Sequence, residues 1–154
     1  MPPARLRAML HQAPLAFIAT ASAEQPFVHP NLFWYDEAGA RIYFHTADQG
    51  RTRDNIRQNP NVCLCVAELG RLLPAQEALQ FSCQYASVMV FGRAHLVQDE
   101  GEARRGLQGL LDKYFPQLKP ERDYRAITAQ ELARTSVFAL QIESWSGKEK
   151  RAAP

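Results

Sequence analysis

The spacing of hydrophobic residues changes several times along the chain, and each change marks an element. Leu6, Met9 and Leu10 share one face at helical period, which predicts a short amphipathic helix from about Pro3 to Gln12, ended by Pro14. Residues 15–20 form a compact apolar run of strand length. A polar stretch around Glu24-Gln25-Pro26 separates it from a second, aromatic run over residues 27–35. Pro30 inside that run has no N–H for a ladder, so its place is an edge or a bulge. Asp36-Glu37-Ala38-Gly39 reads as a hairpin turn into Arg41-Ile42-Tyr43-Phe44-His45, giving three consecutive strands as a meander.

The character turns polar at Thr46. Residues 47–58 suit a short helix, stopped by Asn59-Pro60. Val62-Cys63-Leu64-Cys65-Val66-Ala67 is apolar on both alternations, the pattern of a strand buried on both faces. Residues 70–74 read as a loop, and residues 79–97 as one or two strands. There Val88, Val90, Ala94 and Leu96 share a face, with Ser87, Met89, Phe91, Arg93 and His95 on the other. Residues 99–115 return to helical period, with a stripe of Ala103, Leu107, Leu110, Leu111 and Tyr114. A short helix near residues 128–134 and a last strand over residues 137–145 complete the pattern. In that strand Phe138, Leu140 and Ile142 alternate with polar positions. The sum is a mainly β (α+β) chain: about six antiparallel strands in a barrel or sheet, with short flanking helices.

Composition narrows the function classes. The chain has 154 residues and a net charge of +2, from 18 Lys+Arg against 16 Asp+Glu, and is 46% hydrophobic. That is an ordinary globular balance and predicts one domain over residues 1–154. Without a strong basic excess, nucleic acid is not an expected partner. No apolar run approaches the ~20 residues of a membrane span. Arg5, Arg7 and His11 interrupt the N-terminal segment, which therefore lacks the apolar core of a signal peptide. Cys63, Cys65 and Cys83 lie in apolar segments without a disulfide framework, so a cytoplasmic location is expected. Cys63-x-Cys65 resembles half a metal site, but no other half follows at a recognisable spacing, so the expected role is structural and no metal is expected.

The segment His45-Thr46-Ala47-Asp48-Gln49-Gly50-Arg51-Thr52-Arg53 carries the main chemical signal. It joins a strand end to a helix start, where free N–H groups and the helix dipole favour an anion. Gly50 permits close backbone approach, Thr46 and Thr52 offer hydroxyls, and Arg51 and Arg53 offer guanidinium forks suited to phosphate. The same residues also describe a solvated helix start with two surface arginines. His29 and His45 each sit in a β-run beside aromatics, where a histidine is either a rim residue or, in a cleft, a proton shuttle. No Ser-His-Asp pattern and no paired carboxylates in an apolar setting are present, so difficult chemistry would come from an organic cofactor.

Five segments in this order resemble the FMN-binding split-barrel superfamily of pyridoxamine 5'-phosphate oxidase. They are residues 15–20, 27–33 and 42–47 with Gly50-Arg51-Thr52 and Asn59-Pro60, then residues 85–94 and Trp145-Ser146-Gly147-Lys148. The last two resemble the nitroimidazole-reductase and flavin-nucleotide-binding branch. The resemblance implies a six-stranded antiparallel split β-barrel that forms a homodimer with flavin sites at the interface. It implies that Asn31, Leu32 and Phe33 lie along the isoalloxazine ring, that His45 and Thr46 run toward the ribityl phosphate, and that Arg51 and Thr52 hold that phosphate. Family members often have Lys where this chain has Thr52. It places Ser87 on the strand flanking the ring, and brings Trp145 and Lys148 to the flavin, often from the second subunit. FMN is the implied cofactor, with FAD, deazaflavin and haem as alternatives in the same fold. The implied function is an FMN-dependent oxidoreductase acting on a small organic acceptor such as a nitro compound or quinone, with His45 as candidate proton donor. A flavin-binding protein without turnover is the alternative. No basic set for a second phosphate is visible, so the pyridoxamine-phosphate reaction itself is not expected. Phe33-Trp34-Tyr35 reads equally as interface or barrel core, and Trp145, placed opposite the Phe138/Leu140/Ile142 face, as a ring-stacking or a packing residue.

Overall fold

The structure, a computed structural model, describes residues 1–22 and 25–151. Glu24, in the expected polar stretch, lies outside them. The elements are α1 (Pro3–Gln12), β1 (Ala16–Ser22), β2 (Gln25–Asn31), β3 (Trp34–Asp36), β4 (Arg41–Ala47), α2 (Arg51–Gln58), β5 (Asn61–Leu73), β6 (Ser82–Leu96), α3 (Glu100–Tyr114), α4 (Ala129–Ala133) and β7 (Thr135–Lys150). A single 3-10 turn at Ala78–Gln80 joins β5 to β6. All strands belong to one antiparallel sheet in the order β2-β1-β5-β6-β7-β4-β3.

The sheet has seven strands rather than the expected six, and its two edges do not pair. The cause lies in residues 27–35, which break at Leu32-Phe33. β2 pairs with β1, placing Pro30 opposite Phe17 on an edge strand where its missing N–H does no harm. β3 pairs instead with β4, Trp34 opposite Tyr43, at the other edge. The expected meander is therefore corrected: the chain crosses from one sheet edge to the other within two residues. Side chains bridge the gap, and the Asn31 amide donates to the His45 carbonyl at 2.8 Å.

Inward-facing residues of the strands form the main core, with Ile18, Phe33, Ile42, Phe44, Leu64, Val66, Val88, Val90, Phe138 and Leu140 essentially inaccessible. Met9 and Leu10 of α1 join the same cluster. Phe33 and Tyr35 are buried in it, and Trp34 stacks on Tyr43 at 5.4 Å, so the aromatic triplet is core. α3 lies against β3 and β4 because it presents glycines there. A Cβ on Gly106 would come within 2.8 Å of the Tyr43 ring, and one on Gly109 would fall inside the Trp34 indole.

Three further expectations change. The loop over residues 70–74 is strand to Leu73, with an irregular register between Leu69 and Leu72. The charged tail pairs with β6, Lys150 opposite Tyr85. Trp145 sits with the core face, not against it. The pairing moves from Gly92↔Ile142 to Phe91↔Ser144, so Glu143 is an extra residue that reverses the alternation. Trp145 then packs on the core, its ring tilted 71° to that of Tyr35 with centroids 6.5 Å apart.

Val62, Leu64 and Val66 of β5 face the core, but Cys63 and Cys65 lie on the outer sheet face, half-buried. Register aligns Cys65 with Phe17 and Met89, and Cys63 with Ala19 and Phe91. The strand is apolar on both sides, yet one chain covers only one of them. Burial raises both thiol pKa values, that of Cys63 also through Cys65. Among the described residues no helix is long and apolar enough to cross a membrane, and no group of three His, Cys, Asp or Glu could hold a metal ion.

Candidate functional site

The gap between the sheet edges opens two neighbouring cavities. The first, of about 430 Å³, is lined by Phe27, His29 and Asn31 from β2, His45, Thr46 and Ala47 from β4, and Gln49 to Arg53 at the start of α2. α2 is fixed from beneath by buried Ile56 and by the Asn55 amide, which donates to the Thr20 hydroxyl at 2.9 Å. Its N-cap is Gly50, at φ 137° and ψ 165°, a region essentially confined to glycine. No side chain caps the helix, and the Cβ side of Gly50 faces open space. The first N–H groups of α2 therefore lack an internal acceptor and fit an anion.

The side chains around this opening divide the work. Thr52 is buried and its hydroxyl is hydrogen-bonded to His29 Nδ1 at 3.2 Å, tying α2 to the edge strand β2. Arg53 Nη1 donates to the Asp48 carbonyl at 2.6 Å and to Ser136 Oγ at 2.8 Å, so this guanidinium shapes the loop. Arg51 is exposed, lies over the Phe27 ring at 5.5 Å, and has no carboxylate partner among the described residues. Of the two expected phosphate arginines, Arg51 is the one held ready. The Thr46 hydroxyl donates to the Ala47 carbonyl at 2.8 Å.

The second cavity, of about 350 Å³, lies between α3, the loop before α4 and the crossing at Leu32. Leu107, Leu110, Leu111, Tyr114 and Phe115 line it from α3 and its end, with Tyr124, Arg125, Ile127 and Glu131 opposite. The Tyr114 hydroxyl accepts from the Phe33 N–H at 3.2 Å and donates to the Phe33 carbonyl at 3.3 Å, so the Phe33 main chain is already engaged. Burial raises the Tyr114 pKa, opposed by the Phe33 hydrogen bond.

His45 lines both cavities. Its Nδ1 is buried and has no hydrogen-bond partner among the described residues. Desolvation lowers its pKa from the ordinary 6.5, so the ring is neutral at neutral pH.

The structure thus gathers Asn31, Leu32, His45, Thr46, Arg51 and Thr52 around the gap, with Phe33 just behind it. Ser87, Trp145 and Lys148 lie elsewhere in the chain. Ser87 pairs with Lys148, whose ammonium sits 5.8 Å from the centre of the Tyr85 ring. His45 pairs with Val137, and an extended strand from Val137 to Trp145 covers about 25 Å. Two residues absent from the expected ligand set, Phe27 and His29, line the polar cavity. The alternation of β2 was the available signal: residues 27, 29 and 31 share a face.

A family model described as pyridoxamine 5'-phosphate oxidase matches residues 2–149. The chain belongs to that family. Among solved structures, the flavocytochrome Anf3 from Azotobacter vinelandii is 30% identical, with a TM-score of 0.82 over 99% of this chain and 69% of that one. An FAD and haem binding protein from Mycobacterium smegmatis is 25% identical, with a TM-score of 0.85 over 99% and 73%. A putative 5-nitroimidazole antibiotic resistance protein from Bacteroides thetaiotaomicron, 20% identical with a TM-score of 0.79 over 95% and 82%, shares the fold. Comparison with curated protein sequences returns no match. As a pyridoxamine 5'-phosphate oxidase family member, the chain has the flavin-binding split-barrel fold, and its uncapped helix start lies at the split.

Proposed function

We propose that this protein binds a flavin nucleotide, FMN, through its phosphate at the start of α2, and serves as an oxidoreductase toward a small organic acceptor such as a nitro compound or quinone. The observation that carries this reading is the uncapped N-terminus of α2 facing an open cavity, with Arg51 beside it and without a carboxylate partner among the described residues. Arg51 and the first N–H groups of α2 hold the phosphate. Asn31 and Thr46 flank the path from it, and His29 braces Thr52 from the edge strand. The bound flavin supplies hydride and single-electron chemistry. The neighbouring cavity is largely leucine and aromatic, which suits a flat apolar partner and not a second phosphate.

The protein acts as a homodimer in this reading. The outer sheet face is apolar, with Phe17, Met89 and Phe91 each about 40–50% exposed beside Cys63 and Cys65. A second copy on that face would bring its own Ser87 and Lys148, which share the face of Met89 and Phe91, toward a flavin that they do not approach within one chain, whereas Trp145 stays with the core.

Titration of the purified protein with FMN, followed by flavin fluorescence, tests the site. Arg51→Ala weakens FMN by about 1.5–3 kcal/mol, the worth of a charge-assisted hydrogen bond, and leaves riboflavin unaffected. A wild-type protein that takes up no FMN, or an Arg51→Ala protein with unchanged FMN affinity, removes the phosphate assignment. Turnover is tested by whether reduced flavin in the protein reduces nitro compounds or quinones faster than free reduced FMN.

A second reading adds a haem beside the flavin. Two relatives, at 30% and 25% identity, are named as a flavocytochrome and as an FAD and haem binding protein. The apolar cavity with an imidazole in its wall is what favours it here.

A further inference from the structure

The polar cavity holds a second basic group that a phosphate could use. His29 stands in its wall on β2, and its Nδ1 meets the Thr52 hydroxyl at 3.2 Å. Thr52 is the second residue of α2, so its N–H is one of the helix-start donors without an internal acceptor. The imidazole thus sits one hydroxyl away from the groups that would hold an anion. The charges around it have one sign. β1, the strand paired with β2, carries no titratable side chain. Across the cavity stand Arg51 and Arg53 of α2 and His45 of β4, and among the described residues no carboxylate lines it. Arg53 has its Nη1 committed to the Asp48 carbonyl and Ser136 Oγ.

We propose that His29 is a further cation of the phosphate site: it takes one proton from solvent when a phosphate monoester binds, and as an imidazolium frees the Thr52 hydroxyl proton for the phosphate. The proposal rests on the phosphate reading above and names what selects the ligand there. The two arginines and the helix start give the cavity a positive field. A phosphate monoester, with close to two negative charges above its second pKa of about 6, reverses that field and favours a charged ring. The hydrogen bond then has a fixed direction. A neutral ring either accepts the Thr52 proton at Nδ1 or donates its own there, whereas an imidazolium can only donate. Thr52 Oγ1 becomes the acceptor, and its own proton is left for a phosphate oxygen. The second negative charge belongs to a terminal monoester, as in FMN. Each phosphorus of a diphosphate bridge carries only one, so His29 favours FMN over FAD.

The experiment is titration of the purified full chain with FMN at pH values from about 6 to about 8.5, with riboflavin as the control. Uptake of one proton limits the slope to about tenfold per pH unit, and wild type loses about five- to tenfold in FMN affinity between about pH 7 and about pH 8.5, with riboflavin unaffected. His29→Gln, which keeps a hydrogen-bond partner for Thr52, binds FMN about tenfold more weakly at neutral pH, without the alkaline decline and with a smaller preference over FAD. Calorimetry at about pH 7.5 in two buffers of different ionisation enthalpy counts the proton in wild type alone, should His29→Gln fail to fold: net uptake with FMN, none with riboflavin. No uptake in wild type, an alkaline decline that persists in folded His29→Gln, a decline lost in His45→Gln instead, or an unchanged preference over FAD overturns the proposal. Wild type that takes up no FMN, or Arg51→Ala with unchanged affinity, removes the phosphate reading and this proposal with it. An Arg51-dependent FMN site without proton uptake leaves that reading standing and removes this one alone.

Discussion

The two cavities that meet at His45 are built on opposite plans. The polar one is made from adjacent residues of a strand end, a turn and a helix start, and its chemistry is largely backbone: uncapped N–H groups and a glycine dihedral. The apolar one is made from distant segments, residue 32, one face of α3, and the loop leading into α4. Its chemistry is volume and the absence of polar groups. A site of the first kind depends on local conformation, and a site of the second kind depends on how one helix sits on the sheet. They should therefore fail separately.

The largest expected effect is at the seat of α3. A Cβ at Gly109 falls inside the Trp34 indole, so Gly109→Ala must shift either the ring or the helix. Overpacking of this kind costs about 3 kcal/mol, the upper end of its usual range, because both partners are part of packed layers. Urea denaturation measures the loss, and ferric-haem uptake falls with it. FMN affinity of the folded fraction stays within twofold, since α2 rests on Thr20 and not on α3. Equal losses at both sites would show that the cavities are one unit.

Gly50→Ala probes the other plan. There is room for the new Cβ, with nothing within 4 Å, but φ of 137° is barred to alanine. The backbone must relax, at about 1–2 kcal/mol. That relaxation turns the first N–H groups of α2 away from the cavity. FMN titration reads the loss of affinity, with riboflavin as the control and the Soret response unchanged.

The same contrast explains what could be read from the sequence. Residues 45–53 announced the polar cavity because strand end, glycine and arginines are contiguous, and local chemistry survives without knowledge of the fold. The α3 stripe of Leu107, Leu110 and Leu111 was visible too, but as an ordinary core face. Nothing local says that part of it lines a cavity. The break at Leu32-Phe33 was hidden because residues 27–35 alternate plausibly as one strand, and only the competition between two sheet edges divides them. Trp145 was misplaced for a related reason. One extra residue, Glu143, reverses every later side chain, and a bulge leaves no mark in the apolar pattern before it.

The smallest effect tests the residue both plans share. Burial holds the folded-state pKa of His45 below the ordinary 6.5. Between those two values the unfolded chain binds more protons than the folded one, so stability rises with pH across that window and falls as pH drops below about 6.5. The titratable and charged groups that line the two cavities with it are His29 from β2, Arg51 and Arg53 from α2, Tyr114 from α3, and Tyr124, Arg125 and Glu131 from the opposite wall. Of these only Glu131 brings negative charge, and it is paired with Arg125, so little in either cavity welcomes an imidazolium. Urea midpoints measured from neutral to mildly acid pH should fall for wild type and fall less for His45→Gln, the difference vanishing above about 6.5. A slope unchanged in His45→Gln would mean that the imidazole is well solvated, and the wall between the two cavities would then be open to water.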